Sequence, residues 1–376
     1  MRKMTRINNG WTVYPVGKTP ADGTTLDLPY TWNGVDGQDG GGDYLRTAFN
    51  FERVLDKPDV KPDEDLYLEF KGVNSSADVY IDGDLVTHHD GGYSTFRVCV
   101  TERIKQGSTL RVRVDNGKTE KVYPQTADFT FYGGIYRDVN LIVVNKTRFD
   151  LDHFGSCGLK ITPTVEDGDG KIVAEAYVTG GEATVTVSDA DGNVVASGKS
   201  GETLTVPDAR LWNGVVDPYL YTVRAELTAG GKVVDAIEQR VGFRAFSFDP
   251  KKGFFLNGKS YPLRGVSRHQ DRPNKGNALS RADHEEDMAI IKEIGANTIR
   301  LAHYQHDDYF YDLCDEAGMI VWAEIPYISR HMPDANDNAT QQMRELICQQ
   351  YNHPCIVTWG VSNEITLHGT HRKDKL

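Results

Sequence analysis

The periodicity of this chain changes after Phe255, and that change constrains the fold more than any other feature. Upstream, stretches such as DEDLYLEFKGV, ADVYIDGDLVTHH, STFRVCVTERI and TLRVRVDNG alternate apolar and polar residues at period two. That is the pattern of strands with one buried face. Turn formers, Asp82-Gly83 and Asn116-Gly117 among them, punctuate these stretches. Downstream, the strand-like runs YPLRGVSRH, NTIRLAH, MIVWAEIP and CIVTWGVSNE alternate with the helical stretches RADHEEDMAIIKEIG, DDYFYDLCDEAG and NATQQMRELICQQY. Strand and helix alternating through short loops predicts parallel βα units. Ser280 is placed to cap the first helix, and Gly295 and Gly318 to end the first and second. Met288, Ile291 and Ile294, three apart, are the expected inner face of the first helix.

These patterns divide the 376 residues into three units. Residues 1–145 read as a jelly-roll β-sandwich and residues 146–246 as an immunoglobulin-like β-sandwich. Residues 247–376 read as the first half of a (β/α)8 TIM barrel, about four of its eight βα units. A whole barrel takes about 250 residues. A half barrel leaves its inner apolar face uncovered, and Trp322, Ile325, Ile356, Val357 and Trp359 are the residues expected to be exposed there.

Composition narrows the function classes. A net charge of −12 argues against nucleic acid or an anionic membrane as partner. No apolar run approaches the length of a membrane span, and the N-terminus MRKMTRINNGWTVYPVG lacks the apolar stretch of a secretory signal. The five cysteines are odd in number and scattered without metal-site spacing. The expectation is reduced, mostly buried thiols in a cytoplasmic protein.

The chemistry lies at the strand ends. The four barrel strands end in Arg268-His269-Gln270-Asp271, in Arg300 with His303-Tyr304, in Trp322-Ala323-Glu324, and in Asn363-Glu364. One such end is an ordinary solvated loop. Four in succession, rich in His, Glu and Arg, are hard to assign to stability, and in a barrel they face the active-site mouth.

The residues carrying these patterns resemble glycoside hydrolase family 2, its β-galactosidase branch most closely. DLPYTWN and DFTFYGGIYRDVNL are similar to its sugar-binding domain, and LWNGVVDPYLYTVRAEL and RVGFR to its immunoglobulin-like domain. FFLNGKSYPLRGVSRHQD, NTIRLAHYQH, YDLCDEAGMIVWAEIP and YNHPCIVTWGVSNE resemble the first half of its catalytic barrel. The resemblance implies a retaining exo-glycosidase acting on terminal β-galactosides. A β-glucuronidase of the same family and a non-catalytic carbohydrate-binding fragment are the alternatives. It implies that Glu364 is the general acid/base and that Asn363 binds the sugar 2-hydroxyl. By the same resemblance His269 and His303 contact substrate hydroxyls, Arg300 holds carboxylates, and Asp128 reaches the mouth from the sugar-binding domain. Glu324 and Arg268 read as supporting residues.

Two departures stand out. A retaining enzyme needs a nucleophilic carboxylate about 5 Å from the acid, and after Glu364 the sequence offers only Asp374 in the tail HGTHRKDKL. The nucleophile is therefore expected to be absent from this chain. A truncated fragment, a complementing chain carrying the other strands, or a sugar-binding remnant would each account for that, and a homo-oligomer also stays open. The magnesium site of some family members uses Glu-x-His after the third strand, and here that stretch is Glu324-Ile325-Pro326. No metal or cofactor is expected. The acids Asp128, Glu324 and Glu364 at the mouth favour a neutral galactoside over an anionic sugar. Arg268 and Arg300 oppose that inference. The resemblance implies that recognition of a glucuronate carboxylate falls to residues after later strands.

Overall fold

The computed structural model describes residues 1–38 and 43–365. In the first unit a four-stranded antiparallel sheet (Lys3–Arg6, Val139–Asn145, Glu64–Phe70, Phe96–Cys99) packs on a six-stranded one (Thr24–Leu26, Trp11–Pro15, Ala48–Val54, Thr109–Asp115, Ser76–Ile81, Asp84–Asp90). The inward residues of both sheets, among them Phe51, Leu68, Phe70, Val112 and Leu141, form one core. The hairpin between Ile81 and Asp84 turns at Asp82 (φ 50°) and Gly83 (φ 95°), the left-handed pair that suits a two-residue turn. Asn116-Gly117 does something else. The buried Asn116 amide donates to Asn33 Oδ1 at 3.1 Å and to the Phe131 carbonyl at 3.0 Å. It thereby pins both ends of a long connection, and that connection carries Asp128.

Glu69 gives this unit a pH signature. Its carboxylate is 1% exposed and paired with Arg97 at 2.6 Å, while Arg97 also donates to the carbonyls of Leu151 and Ser156 beyond the sheet. Burial works against the charge, but Lys71, Arg97 and the Asn140 amide outweigh it and hold the pKa at about 2. An unfolded Glu titrates near about 4.3. The stabilisation is therefore fully present above that value and is lost as the pH falls through about 2. Its size is about 3 kcal/mol. Glu69→Gln is expected to lower stability near neutral pH by up to this amount and to flatten the acid limb. Urea denaturation of both proteins at neutral and acid pH checks it; a difference that stays constant between the two would refute the linkage.

The second unit is a seven-stranded sandwich. A three-stranded sheet (Leu159–Glu166, Asp169–Ala176, Thr203–Val206) faces a four-stranded one (Val194–Lys199, Glu182–Ser188, Tyr221–Ala229, Lys232–Val241) across a core containing Ile161, Ile172, Val185, Val223 and Phe243. Its junction with the last unit is made by specific groups. Asn352 donates to the Leu159 carbonyl at 2.9 Å and accepts from the Ile161 N–H at 2.8 Å. Arg244 donates to the carbonyls of Pro354 and Ile356.

A small antiparallel sheet (Phe246–Asp249, Gly253–Leu256, Lys259–Ser260) leads into the parallel unit. There β1 (Gly265–Arg268), β2 (Thr298–Leu301), β3 (Ile320–Glu324) and β4 (Ile356–Gly360) lie side by side in chain order, all parallel. The helices α1 (Arg281–Glu293), α2 (Asp308–Ala317) and α3 (Asn336–Gln350) connect them. This is a partial TIM barrel, and among the described residues β1 and β4 have no strand on their outer edges. Ser280 caps α1 by accepting from the Asp283 N–H, and Gly318 ends α2 in the left-handed conformation at φ 71°. The expected inner face of α1 needs one correction. Met288 and Ile291 are buried with Asp283 and His284, but Ile294 is 63% exposed. Ile294 is the C-cap, where the chain leaves the helical spiral.

The exposure expected of the barrel interior is also only partly found. Trp322 is 44% exposed, while Ile325 and Ile356 are 4% exposed and belong to the core beneath the helices. Val357 and Trp359 are half-buried. All five cysteines are free, but only Cys314 and Cys355 are buried; Cys157 and Cys348 are intermediate and Cys99 is exposed. Among the described residues no helix is long and apolar enough to cross a membrane.

Candidate active site

Strand register decides which side chains reach the inner face. Val266, Ile299, Leu301, Val321 and Ala323 pack toward the helices. The opposite parity aligns Ser267, Arg300, Trp322 and Thr358 across the four strands. Gly360 at the end of β4 is required there, because an added Cβ would lie 2.7 Å from the Glu324 Cβ.

Arg300 organises the mouth. Its guanidinium lies 3.1 Å from Glu324, and Glu324 is 1% exposed. The same Arg300 donates to Asn363 Oδ1 at 2.7 Å. Arginine has only donors, so the atom facing it must be the amide oxygen. The Asn363 NH2 group is thereby left to donate elsewhere. The backbone of Asn363 is fixed as well: its N–H donates to the Tyr327 carbonyl at 2.9 Å and its carbonyl accepts from the Ser329 N–H at 3.0 Å. Glu364 follows in the left-handed region at φ 55°, exposed, with no hydrogen bond or ion pair among the described residues. A non-glycine residue held there stores about 1–3 kcal/mol of strain, a feature concentrated at functional sites.

The second Glu324 contact is His303, whose Nδ1 lies 2.5 Å from Oε1. With Arg300 and His303 on it, Glu324 has both oxygens engaged. His269 stands beside His303, with ring centroids 5.2 Å apart at 75°. Burial first, and His303 second, hold the His269 imidazole below its ordinary pKa, against the opposing pull of Asp271, Asp128 and Glu324. Asp128 thus acts on the mouth electrostatically from the first unit, and its neighbour Phe129 reaches it physically. The Phe129 ring packs 4.9 Å from His269, 5.9 Å from His303 and 5.5 Å from Tyr304. Sequence reading missed Phe129; the signal available was its place directly after Asp128.

Arg268 does not belong to this face. It is buried against α1 and α2, with Nη2 at 2.6 Å from Asp287 and its guanidinium 3.8 Å over the Phe310 ring. His284 and His306 also lie against it, at 3.1 and 3.0 Å. Burial pulls the pKa of His284 down to about 4, and burial with Arg268 lowers that of His306. Arg268 shares the parity of Val266, so its direction was readable in the sequence. Its charge does not offset the acids of the mouth.

Among the described residues, one trio of potential metal ligands converges, Asp312, Asp315 and His353, on the helical side away from the mouth. Its members are already engaged: His353 Nδ1 lies 2.6 Å from Asp315, and Arg240 lies 3.6 Å from Asp312. Asp374 lies outside the described residues.

Comparison with known proteins agrees with this architecture. Residues 33–145 match the family description "Glycosyl hydrolases family 2, sugar binding domain", residues 146–244 match "Glycosyl hydrolases family 2", and residues 250–374 match "Glycosyl hydrolases family 2, TIM barrel domain". A β-glucuronidase of Bacteroides fragilis is 39% identical, with 96% of this chain and 56% of that protein aligned. A β-galactosidase of Thermoanaerobacter pseudethanolicus is 33% identical over 79% of this chain and 42% of its own length. A solved structure, the FMN-binding β-glucuronidase from Facaelibacterium prausnitzii L2-6, superposes with a TM-score of 0.94 at 44% identity, covering 99% of this chain and 60% of that one. The chain thus spans about half the length of the curated relatives it matches. From the sugar-binding sandwich to the parallel strands that bear Arg300 and Glu324, this chain belongs to glycoside hydrolase family 2.

Proposed function

We propose that this chain supplies the acid/base side of a retaining exo-glycosidase, and that the complete enzyme hydrolyses terminal β-glucuronides. The observation that carries the site is the Arg300 fork. It engages Glu324 and Asn363 together, which supports a site at Asn363-Glu364 whose amide NH2 and carboxyl have no partner among the described residues. Glu364 in its protonated form gives its proton to the glycosidic oxygen as the bond from that oxygen to the sugar carbon breaks. As a carboxylate it then takes a proton from the water that replaces the aglycone. The Asn363 NH2 group donates to the 2-hydroxyl, a bond that strengthens as positive charge builds on the ring. Glu324, occupied by Arg300 and His303, is not poised to attack. We assign the nucleophile to a carboxylate outside the described residues.

The choice of sugar departs from the galactoside leaning of the sequence. Higher identity to β-glucuronidases than to a β-galactosidase supports it. Electrostatics answers one part of the objection, because the buried Glu324 charge is matched by Arg300 and weighs little against an anionic sugar, while Asp128 and Glu364 still oppose one. A β-galactoside is the second reading, favoured by the 33% identical relative. The test joins this chain to a complete barrel and compares kcat/KM on nitrophenyl glucuronide, galactoside and mannoside. Glucuronide is expected to lead by about tenfold or more, about 1.4 kcal/mol of transition-state preference. A galactoside lead of that size overturns the assignment of sugar.

A further inference from the structure

We infer that Tyr304 fixes the tautomer of His269, so that His269 presents an Nε2–H donor to the mouth. Tyr304 is therefore a positioning residue for the sugar site. Tyr304 is buried, 3% exposed, and its hydroxyl has two neighbours. The Gln270 backbone N–H donates to it at 3.4 Å, and His269 Nδ1 lies 3.2 Å away. The first can only be a donor, so among the described residues the hydroxyl hydrogen has one hydrogen-bond acceptor within reach, His269 Nδ1. The opposite assignment, with the proton on Nδ1, would leave the hydroxyl hydrogen buried without an acceptor, an arrangement folded proteins avoid. The proton of a neutral His269 then sits on Nε2, since the hydrogen bond of the ring among the described residues is made by Nδ1. Burial disfavours the charged imidazole, in keeping with a neutral ring.

His303 carries the opposite arrangement. Its Nδ1 faces Glu324 at 2.5 Å and Arg300 Nη2 at 3.2 Å. The shorter, charge-assisted contact decides, because that Arg300 nitrogen already donates to Asn363 at 2.7 Å. His303 therefore has its proton on Nδ1. The two rings are adjacent but hold their protons on different nitrogens, each dictated by the group behind it.

The first unit holds this device in place. Tyr93 stacks on Tyr304 at 4.3 Å with the rings 12° from parallel, and Tyr93 and Tyr136 close the same buried aromatic cluster. Phe129 flanks it on the side of the mouth. The sugar-binding sandwich thus fixes the hydrogen-bonding sense of a barrel residue that it does not itself bond.

The tautomer stands on geometry alone, while its use on a sugar hydroxyl rests on the glycosidase reading; the experiment separates the two. The 376-residue chain is labelled with 15N at histidine and its long-range 1H–15N correlations are recorded near neutral pH, with His269→Gln identifying the signal. His269 is expected to show a pyridine-like Nδ1 and a pyrrole-like Nε2. Tyr304→Phe is expected to lose this single-tautomer pattern, whereas Phe129→Leu, which spares the hydroxyl, keeps it. A pyrrole-like Nδ1 in the unaltered chain overturns the inference, as does an unchanged pattern in Tyr304→Phe. If Tyr304→Phe fails to fold, the unaltered chain still decides. In the complete enzyme, Tyr304→Phe and His269→Gln are each expected to lower kcat/KM by about tenfold, and the double variant no further than His269→Gln alone. Additive losses remove the positioning role. An enzyme that cleaves no glycoside removes the proposed function and leaves the tautomer to be judged by its spectrum.

Discussion

Glu364→Gln, in an enzyme that joins this chain to a complete barrel, is expected to lower kcat/KM by about 10²–10⁴-fold on a glucuronide with an alkyl leaving group. That corresponds to about 3–5 kcal/mol of transition-state stabilisation. On a nitrophenyl glucuronide the loss in the first step should be much smaller, because nitrophenolate departs without a proton. The asymmetry follows from the site. Glu364 has no hydrogen bond or ion pair among the described residues, so the substitution disturbs no network. Asn363 keeps its bond to Arg300 and, on the proposed reading, its hold on the sugar. Steady-state kinetics on the two substrates, with single-turnover rates for the first step, supply the check. Equal losses on both leaving groups would show that Glu364 binds or positions and does not donate the proton.

Trp212→Ala is expected to destabilise the protein by about 3–5 kcal/mol. Trp212 lies in the second unit but packs in the core of the third, fully buried beside Phe310, Cys314 and Ile356. Its indole N–H donates to the Asp315 carbonyl at 2.9 Å, which ties the sandwich to the end of α2. Gly242 lets it sit there, since an added Cβ would lie 2.6 Å from that of Trp212. The truncation therefore opens a cavity where two units meet and removes one of the two donors to the Asp315 carbonyl, which keeps the Gly318 N–H at 3.3 Å. Trp212→Phe keeps most of the packing and should give up mainly the hydrogen bond, about 1 kcal/mol. Urea denaturation followed by circular dichroism measures both. Limited proteolysis should release the parallel unit earlier in Trp212→Ala. A loss below about 1 kcal/mol for the alanine variant would mean that the second and third units fold without support from each other.

Much of this molecule was legible before any coordinates. Period-two alternation marked the sandwich strands, since a strand with one wet face has few other ways to bury its apolar side. Ser280 and Gly318 bounded helices because unsatisfied backbone groups need a cap and a left-handed turn needs glycine. The four polar strand ends pointed to one face, and residues from all four, His269, Arg300 with His303, Glu324 and Asn363, lie together there, while Arg268 turns to the helices. Other features were decided only in three dimensions. Whether Glu324 repels an anionic sugar depends on Arg300, one strand away in space and 24 residues away in sequence. Phe129 joins the site through a connection whose course is fixed by the buried Asn116 amide. The proton on His269 is placed by a hydroxyl 35 residues on, which is itself held by a tyrosine of another unit. The sequence by itself determined each element, because periodicity and capping act over a few residues. Only the tertiary structure decided charge balance and tautomer, because hydrogen bonds and Coulomb interactions act over a few ångströms between residues that the chain brings together only by folding.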